Sequence, residues 1–348
     1  TVTQLYRTIN ATPFIPDKKE REESCSDIFN MQTIALIKRL QATGINNAVI
    51  GVSGGQDSTL ALLVTIEAFN KLNIDRSKIT AIIMPGFGTS NETKTNAHDL
   101  ANNLGVKIRE ISINKSVEQH LIDIEHNKSH DITYENAQAR ERTQILMDVA
   151  NQVNGLVIGT GDLSELALGW TTYNGDHMSM YNVNCGIAKT LVSCLLKWYS
   201  QNRCKTSKKI AQILKNICDT PISPELLPLD NKGKIIQETE KKIGPYILHD
   251  FYLFNAIYLQ YPPRKIFYLA NIAFAKKYSK KEILHWMCIF FSRFFKQQFK
   301  RSCSPDGPKV SDLSLSPRGD WRMPSDASMS LWLEELNEIE KIDDLCRL

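Results

Sequence analysis

Residues 48–59 read AVIGVSGGQDST, and the fold turns on them. Ala48 to Val52 is a short, continuously apolar run, as a strand covered on both faces requires. Asp57 to Phe69 (DSTLALLVTIEAF) then reads as an apolar helix. Between them Gly54 and Gly55 let the backbone turn tightly and approach a ligand closely. The first N–H groups of such a helix point out of the turn at any anion bound there, and Ser53 and Ser58 add hydroxyls. Two common phosphate motifs are excluded. There is no G-x-x-x-x-G-K-[ST], and Gly159-Thr160-Gly161 opens like G-x-G-x-x-G but carries Ser164 at the third glycine position. The same turn also reads as a simple tight turn in which Asp57 or Ser58 caps the helix.

Outward from this stretch the pattern alternates. Strands are expected at Ile79 to Met84, Val106 to Ile111 and Leu156 to Gly159. Helices are expected at Glu92 to Leu104 (stopped by Gly105), Lys115 to His126, Tyr134 to Val153 and Asp162 to Leu168. Apolar strands separated by helices imply a doubly wound α/β fold with a parallel sheet covered on both faces. Upstream, Ile28, Met31, Ile34, Ala35, Ile37 and Leu40 have helical spacing over Asp27 to Gln41, and residues 1–25 read as a polar arm or linker. The α/β domain is expected over 26–230 and a mainly helical extension over 231–348. That extension holds a Pro/Ser/Gly-rich loop at 301–330 and an amphipathic helix from Ser330 to Leu345.

Composition narrows the classes. The 348 residues carry 42 Lys+Arg against 38 Asp+Glu, a net charge of +4. This mild excess suits a small anionic substrate and requires no nucleic acid. The longest apolar runs, Ile266 to Ala275 and Ile283 to Phe291, fall short of the roughly 20 residues of a membrane span, so they read as buried helices. None of the eight cysteines forms a C-x-x-C pair, so no zinc site or disulfide framework is expected, and a reducing cytoplasm is. The chain starts with Thr1 and not Met, as expected of a fragment or a processed chain.

The S-G-G-x-D-S string after the first strand resembles the pyrophosphate-binding loop of the PP-loop ATP pyrophosphatases, whose fold is adenine nucleotide alpha hydrolase-like. Those enzymes split ATP between its α and β phosphates. GTGDLSELALGW at 159–170 is similar to the corresponding block of NAD synthetases. GDHMSMYNVNCGIAKT at 175–190, DTPISPELLP at 219–228, SPRGDWRMPSD at 316–326 and TPFIP at 12–16 resemble the long glutamine-dependent bacterial forms. The resemblance implies a ligase that adenylates the nicotinate carboxylate of deamido-NAD and releases pyrophosphate. Ammonia then displaces AMP to give NAD. It also implies a glutaminase partner, in cis before residue 1 or in trans, because nothing in the chain resembles one. A homo-oligomer, as in the dimeric short enzymes, is implied as well.

Residue roles carry over position by position. ATP is implied at Gly51, Val52, Ser53, Gly54, Gly55, Gln56, Asp57, Ser58, Thr160, Lys189 and Thr220, and deamido-NAD at Arg140, Glu165, Trp170 and Lys300. Asp57, Glu165 and Lys189 are the implied catalytic residues, and Asp57 and Glu165 the implied Mg²⁺ ligands. Two hard carboxylate oxygens with phosphate oxygens and water suit that ion, and pyrophosphate leaving the α phosphorus needs fixed positive charge.

Plainer readings stand beside several of these. Asp162-x-x-Glu165 has capping-box spacing, which needs no ligand. A lysine opening a helix faces an unfavourable dipole, so Lys189 is either neutralised by phosphate or an exposed surface lysine. Arg140, in ENAQARERTQ, shares its stretch with Glu141 and Arg142, which also reads as a solvated helix face. Trp170 reads equally as a stacking platform or as core. Asp176 and His177 fall in a polar loop, where a histidine is an acid/base candidate. Tyr173 in GWTTY stands where the short forms have lysine and agrees with the long forms. Two rivals remain. A PP-loop tRNA-modifying enzyme calls for a basic surface and usually a cysteine pair. A non-catalytic nucleotide-binding subunit calls for loss of a metal ligand or a loop glycine.

Overall fold

The computed structural model describes residues 5–127, 129–205, 207–220, 223, 226–227 and 239–345. In chain order its α/β part runs α1 (Arg21–Thr43), β1 (Ala48–Gly51), α2 (Gln56–Lys71), β2 (Ile79–Ile83), α3 (Asn91–Leu104), β3 (Lys107–Glu110), α4 (Asn114–Asp123), α5 (Ile132–Val153), β4 (Leu156–Gly159), α6 (Leu163–Leu168), β5 (Tyr181–Asn182), α7 (Lys189–Asn202) and α8 (Lys208–Asp219). Local signals set these bounds. The Ser90 hydroxyl accepts from Thr93 N to start α3, and Gly105 ends it at φ 72°. Asp131 accepts from the N–H groups of Thr133 and Tyr134 to start α5. One expectation shifts: α1 begins at Arg21, inside the stretch read as a linker, and buries Cys25 in its first turns.

All strand pairs are parallel, in the order β3-β2-β1-β4-β5. The pleat sends alternate residues to opposite faces. Ala48, Ile50, Ala81, Ile83 and Ile158 join one core with α1, α2 and α7, while Val49, Ile82 and Val157 meet Val149 and Ala150 of α5. This is the doubly wound α/β fold expected. β3 (KIRE) is an edge strand, and its charged residues suit an open edge. The opposite edge, β5, has no sequence signal because only two residues pair. A later loop covers it: Asn182 N donates to Asp306 O at 2.8 Å, and Asp306 is gripped by Arg39 and Arg318.

The chain lays β1, β2 and β3 outward, then crosses back to set β4 on the other side of β1. That reversal opens a crevice at the carboxyl ends of β1 and β4, where doubly wound folds bind ligands.

The remaining helices are α9 (Thr239–Ile243), α10 (Tyr246–Leu253), α11 (Pro263–Ala273), α12 (Lys280–Lys296), α13 (Gln298–Ser302) and α14 (Ser330–Leu345). Leu163, Ala167 and Leu168 of α6 pack with Phe251, Ile266, Met287, Phe290, Phe294 and Leu336 in a second core. The two apolar runs thus lie along α11 and α12, but the first is not buried throughout as read: Ile266, Phe267 and Ala270 face the core while Tyr268 and Ile272 are exposed. The expected boundary at 230/231 and most of the 219–228 block lie outside the described residues. Among the described residues no helix is long and apolar enough to cross a membrane.

Candidate active site

Gly51 ends β1, and Val52 to Gly55 turn into α2. Gly54 sits at φ 83°, a region closed to most side chains, and a Cβ there would collide with the backbone carbonyl of Thr93. The turn is laced by its own serines. Ser53 N donates to Ser58 Oγ at 3.3 Å, the two hydroxyls lie 3.1 Å apart, and Gly55 N donates to Ser53 Oγ at 3.2 Å. No described side chain caps α2 at Gly55. The helix therefore opens with its positive dipole end in the crevice. Gly54→Ala is expected to cost about 2–4 kcal/mol of stability, because backbone must move to admit the methyl. A thermal melt together with ATP titration checks it; a variant that melts and binds ATP like the parent would refute the turn geometry.

Across the crevice, β4 leads through Thr160 and Gly161 into α6. Asp162 Oδ1 accepts from Glu165 N at 2.8 Å, and Asp162 N donates to Glu165 Oε2 at 3.3 Å, so the reciprocal cap is formed. The cap does not exhaust either carboxylate. Lys189 Nζ, at the start of α7, lies 2.7 Å from Asp57 Oδ2, 2.7 Å from Asp162 Oδ2 and 3.0 Å from Glu165 Oε1. The cap and ligand readings of Glu165 are therefore compatible: one oxygen serves each. Lys189 is only 3% exposed, which excludes the surface-lysine reading.

Asp57, Asp162 and Glu165 present ligand atoms within 4.8 Å of one another around a single ammonium. If ionised, they leave two negative charges in excess, the charge of one divalent cation. Asp57 Oδ1 is buried and has no hydrogen-bond partner among the described residues. A buried carboxylate oxygen without a donor is costly, and a hard cation would satisfy it. The donor set thus fits the implied Mg²⁺.

Burial, with Asp57 adding to it, pushes Glu165 up to about 7 against the pull of Lys189. Burial likewise raises Asp162 well above the carboxylate range. Burial opposes the charge on Lys189, but the three carboxylates outweigh it and hold its pKa well above the ordinary lysine value. The sign for stability follows. Folded Glu165 keeps its proton up to about 7 while the unfolded side chain loses it near 4.5. Its contribution is therefore full below 4.5 and falls as pH rises to 7. Without divalent ions, Glu165→Gln is expected to remove about 1–3 kcal/mol of this pH-dependent loss. Unfolding midpoints between pH 4.5 and 7.5, with parent and variant side by side, measure it. Parallel curves would refute the shift.

Further contacts draw the loops together. Asn184, fully buried, donates to Asp57 O at 2.9 Å and Thr160 O at 3.1 Å, joining the two sides of the crevice. Gln56 Nε2 reaches Cys218 O at 3.4 Å, and Thr220 closes α8 just beyond, its hydroxyl bonded to Asn216 O. Arg140 is exposed on α5 and donates to Tyr173 O at 3.2 Å. Trp170 is half-buried, its ring faced by Arg293 at 4.9 Å and Lys242 at 5.5 Å. Arg140 and Lys300 thus each bond to the backbone of the stretch 169–177 that carries Trp170.

Lys300 lines a small cavity with Glu165, Gly169, Thr171, His177 and Ser304. Its ammonium is engaged, donating to Gly169 O at 2.8 Å and Thr171 O at 2.5 Å, and burial beside Arg293 lowers its pKa to about 8. His177, read as part of a polar loop, is buried: Nδ1 faces Thr172 O at 3.2 Å and Nε2 faces Cys303 Sγ at 3.5 Å. Burial lowers its pKa, which favours the neutral ring.

The carboxyl end of α6 is pinned by cations from far along the chain. Arg293 donates to Leu168 O and Gly169 O, and Arg301 to Leu166 O, Ala167 O and Phe294 O. Arg301 is fully buried. Carbonyls at a helix C-terminus carry partial negative charge, which gives these cations their partners.

Sequence reasoning missed Asp162 as a third carboxylate because its capping role explained it already. Asn184 and Tyr246 were missed too. The Tyr246 ring lies 5.1 Å from Lys189 Nζ, but nothing in the spacing of residue 246 links it to residue 189.

The family model described as NAD synthase matches residues 28–255. A glutamine-dependent NAD(+) synthetase of Mycobacterium leprae is 43% identical over 95% of this chain and 52% of its own length. One from Thermotoga maritima is 31% identical over 90% of this chain and 49% of its own. The chain thus spans about half the length of these curated relatives. Among solved structures, a glutamine-dependent NAD(+) synthetase from Cytophaga hutchinsonii superposes with a TM-score of 0.73 at 20% identity, covering 90% of this chain and 56% of that one.

Proposed function

The chain belongs to the NAD synthase family, and from that membership we propose that it converts deamido-NAD to NAD by ATP-dependent amidation. The nicotinate carboxylate attacks the α phosphorus of ATP, and the bond to the β-phosphate oxygen breaks. Pyrophosphate leaves. Ammonia attacks the acyl carbon of the adenylate, AMP departs, and a proton is released. The observation that supports this reading best is the cluster of Asp57, Asp162 and Glu165 around the buried Lys189, spanning the crevice beside the glycine turn.

Each residue has a task in that scheme. The backbone of Gly54 and Gly55 and the start of α2 receive the pyrophosphate, where the helix dipole offsets its growing charge. Lys189 turns from its carboxylates toward phosphate oxygens and holds the transferring group. Asp57 and Glu165, with Asp162 beside them, would hold Mg²⁺, which supplies a fixed positive charge to the departing phosphates. Arg140, Trp170 and Lys300 border the dinucleotide, and Thr160 and Thr220 flank the nucleotide. Holding the carboxylate against the α phosphorus gives much of the acceleration by itself.

Ammonia is proposed to come from glutamine through a glutaminase unit in cis or in trans. Support comes from the glutamine-dependent relatives, of which this chain spans about half. A homo-oligomer in a reducing cytoplasm completes the proposal. With ATP, Mg²⁺, deamido-NAD and ammonium, the purified chain is expected to yield NAD and AMP in equal amounts. With glutamine in place of ammonium it is expected to yield none. Product formed from AMP-free chemistry, such as ADP and phosphate, would refute the adenylate. Glu165→Gln keeps a residue able to close the cap while removing its charge, so full turnover in that variant would reduce Glu165 to a cap.

A further inference from the structure

Ala188 stands at the N-cap of α7, and its methyl group cannot accept a hydrogen bond. Two buried groups from other helices take that place. Lys189 N donates to Ser164 Oγ at 2.9 Å. Thr190 N and Thr190 Oγ1 donate to Asp250 Oδ2 at 3.0 and 2.7 Å. Ser164 Oγ in turn donates to Asp250 Oδ1. Asp250 is 1% exposed and lies on α10, in the part of the chain that packs beneath α6.

The two residues that Asp250 grips are each next to a member of the acidic cluster. Ser164 precedes Glu165 on α6, and Thr190 follows Lys189 on α7. A single carboxylate therefore ties together the starts of the two helices whose side chains meet at the site. Both of its oxygens are used as acceptors only, so an amide in its place turns one acceptor into a donor. One turn earlier on α10, Tyr246 lies 5.1 Å from Lys189 Nζ and backs the ammonium from below. The same helix thus supports the cluster at two points.

We infer that Asp250 is a positioning residue: through Ser164 and Thr190 it fixes where Glu165 and Lys189 stand relative to Asp57. It touches no reacting atom. Its effect reaches the chemistry because a displacement of a fraction of an ångström in a charge-stabilising group costs turnover. A plain helix cap would stabilise the fold and leave turnover alone. The inference rests on the proposed reaction, and the test below separates the two.

The experiment compares parent, Asp250→Asn, Ser164→Ala and the double variant. NAD formation is followed with deamido-NAD and ammonium, and the Mg²⁺ concentration giving half-maximal thermal stabilisation of the ATP-bound chain is measured alongside. Each single variant is expected to lose about 30-fold in kcat with KM for deamido-NAD within about threefold, the pattern of an interaction made in the transition state. The Mg²⁺ midpoint is expected to rise about tenfold, and the double variant to lose no more than the more impaired of the two singles, because both changes break one chain of bonds. Parent-like kcat and Mg²⁺ midpoint in Asp250→Asn would overturn the inference. So would losses in the two singles that multiply in the double. Ser164→Ala, the milder change, carries the test if Asp250→Asn fails to fold. A parent that makes no NAD, with the Mg²⁺ midpoint still shifted in the variants, sinks the reaction assigned above and leaves the positioning role standing.

Discussion

Asp57→Asn is expected to lower NAD formation by roughly 10³-fold or more while the metal-free chain stays as stable as the parent or gains slightly. The two halves of that expectation share a cause. Asp57, Asp162 and Glu165 crowd one ammonium within 4.8 Å of one another. Without a divalent ion this arrangement is repulsive. Asparagine keeps the shape and an oxygen for Lys189, and removes one of the repelling charges. Its amide nitrogen replaces Oδ1, the buried oxygen without a partner among the described residues, so one unpaired polar atom stands in for another and no large stability gain follows. The assay is NAD formation with deamido-NAD and ammonium, beside a melt with and without Mg²⁺. Full turnover would show that Asp57 does not hold the metal. A large fall in the melting midpoint would show that the carboxylates are no burden on the fold.

Lys189→Met is expected to fail in the opposite way, losing turnover and about 3–5 kcal/mol of stability at pH 8. Methionine fills the apolar path of the lysine stem, so packing is largely kept. What disappears is the ammonium that lies within 3.0 Å of all three carboxylates. Asp162 and Glu165, already pushed up by burial, lose the cation that held them down, so the folded variant binds more protons than its unfolded chain. The deficit therefore grows as pH rises and shrinks toward acid, where the carboxyls are neutral. Unfolding at pH 8 and pH 5, each with and without Mg²⁺, reads this directly. A deficit that is equal at both pH values would mean that Lys189 matters for packing and not for charge.

The contrast between these variants also shows what the sequence could and could not carry. The glycine turn, its strand and its helix were legible because apolar runs and glycines are local signals, and the parallel sheet follows from them. The acidic cluster is not local. Its members come from β1–α2, β4–α6 and α7, and only the crossover from β3 back to β4 brings them together. Asp162 hid behind capping-box spacing that is real, since the cap is formed with its other oxygen. Lys189 was placed at a helix start correctly, but nothing in its neighbours announced three carboxylates. The start of α1 was invisible because REES at 21–24 offers no apolar spacing. β5 was invisible because two residues show no period. Nothing in the spacing of Arg293 and Arg301 points to the carbonyls of α6 that they meet.

Those carbonyls also set an order of events in time. All five strands are in hand once residue 182 has been made, and the acidic cluster is complete in sequence at residue 189. Yet α6, only six residues long, has its carboxyl end tied off by side chains at 293, 300 and 301. A helix that short holds poorly without outside partners. A growing chain is therefore expected to build its sheet early and to settle α6, which carries Glu165, only after more than a hundred further residues have joined. On that order the glycine turn stands before the carboxylates that face Lys189 are gathered.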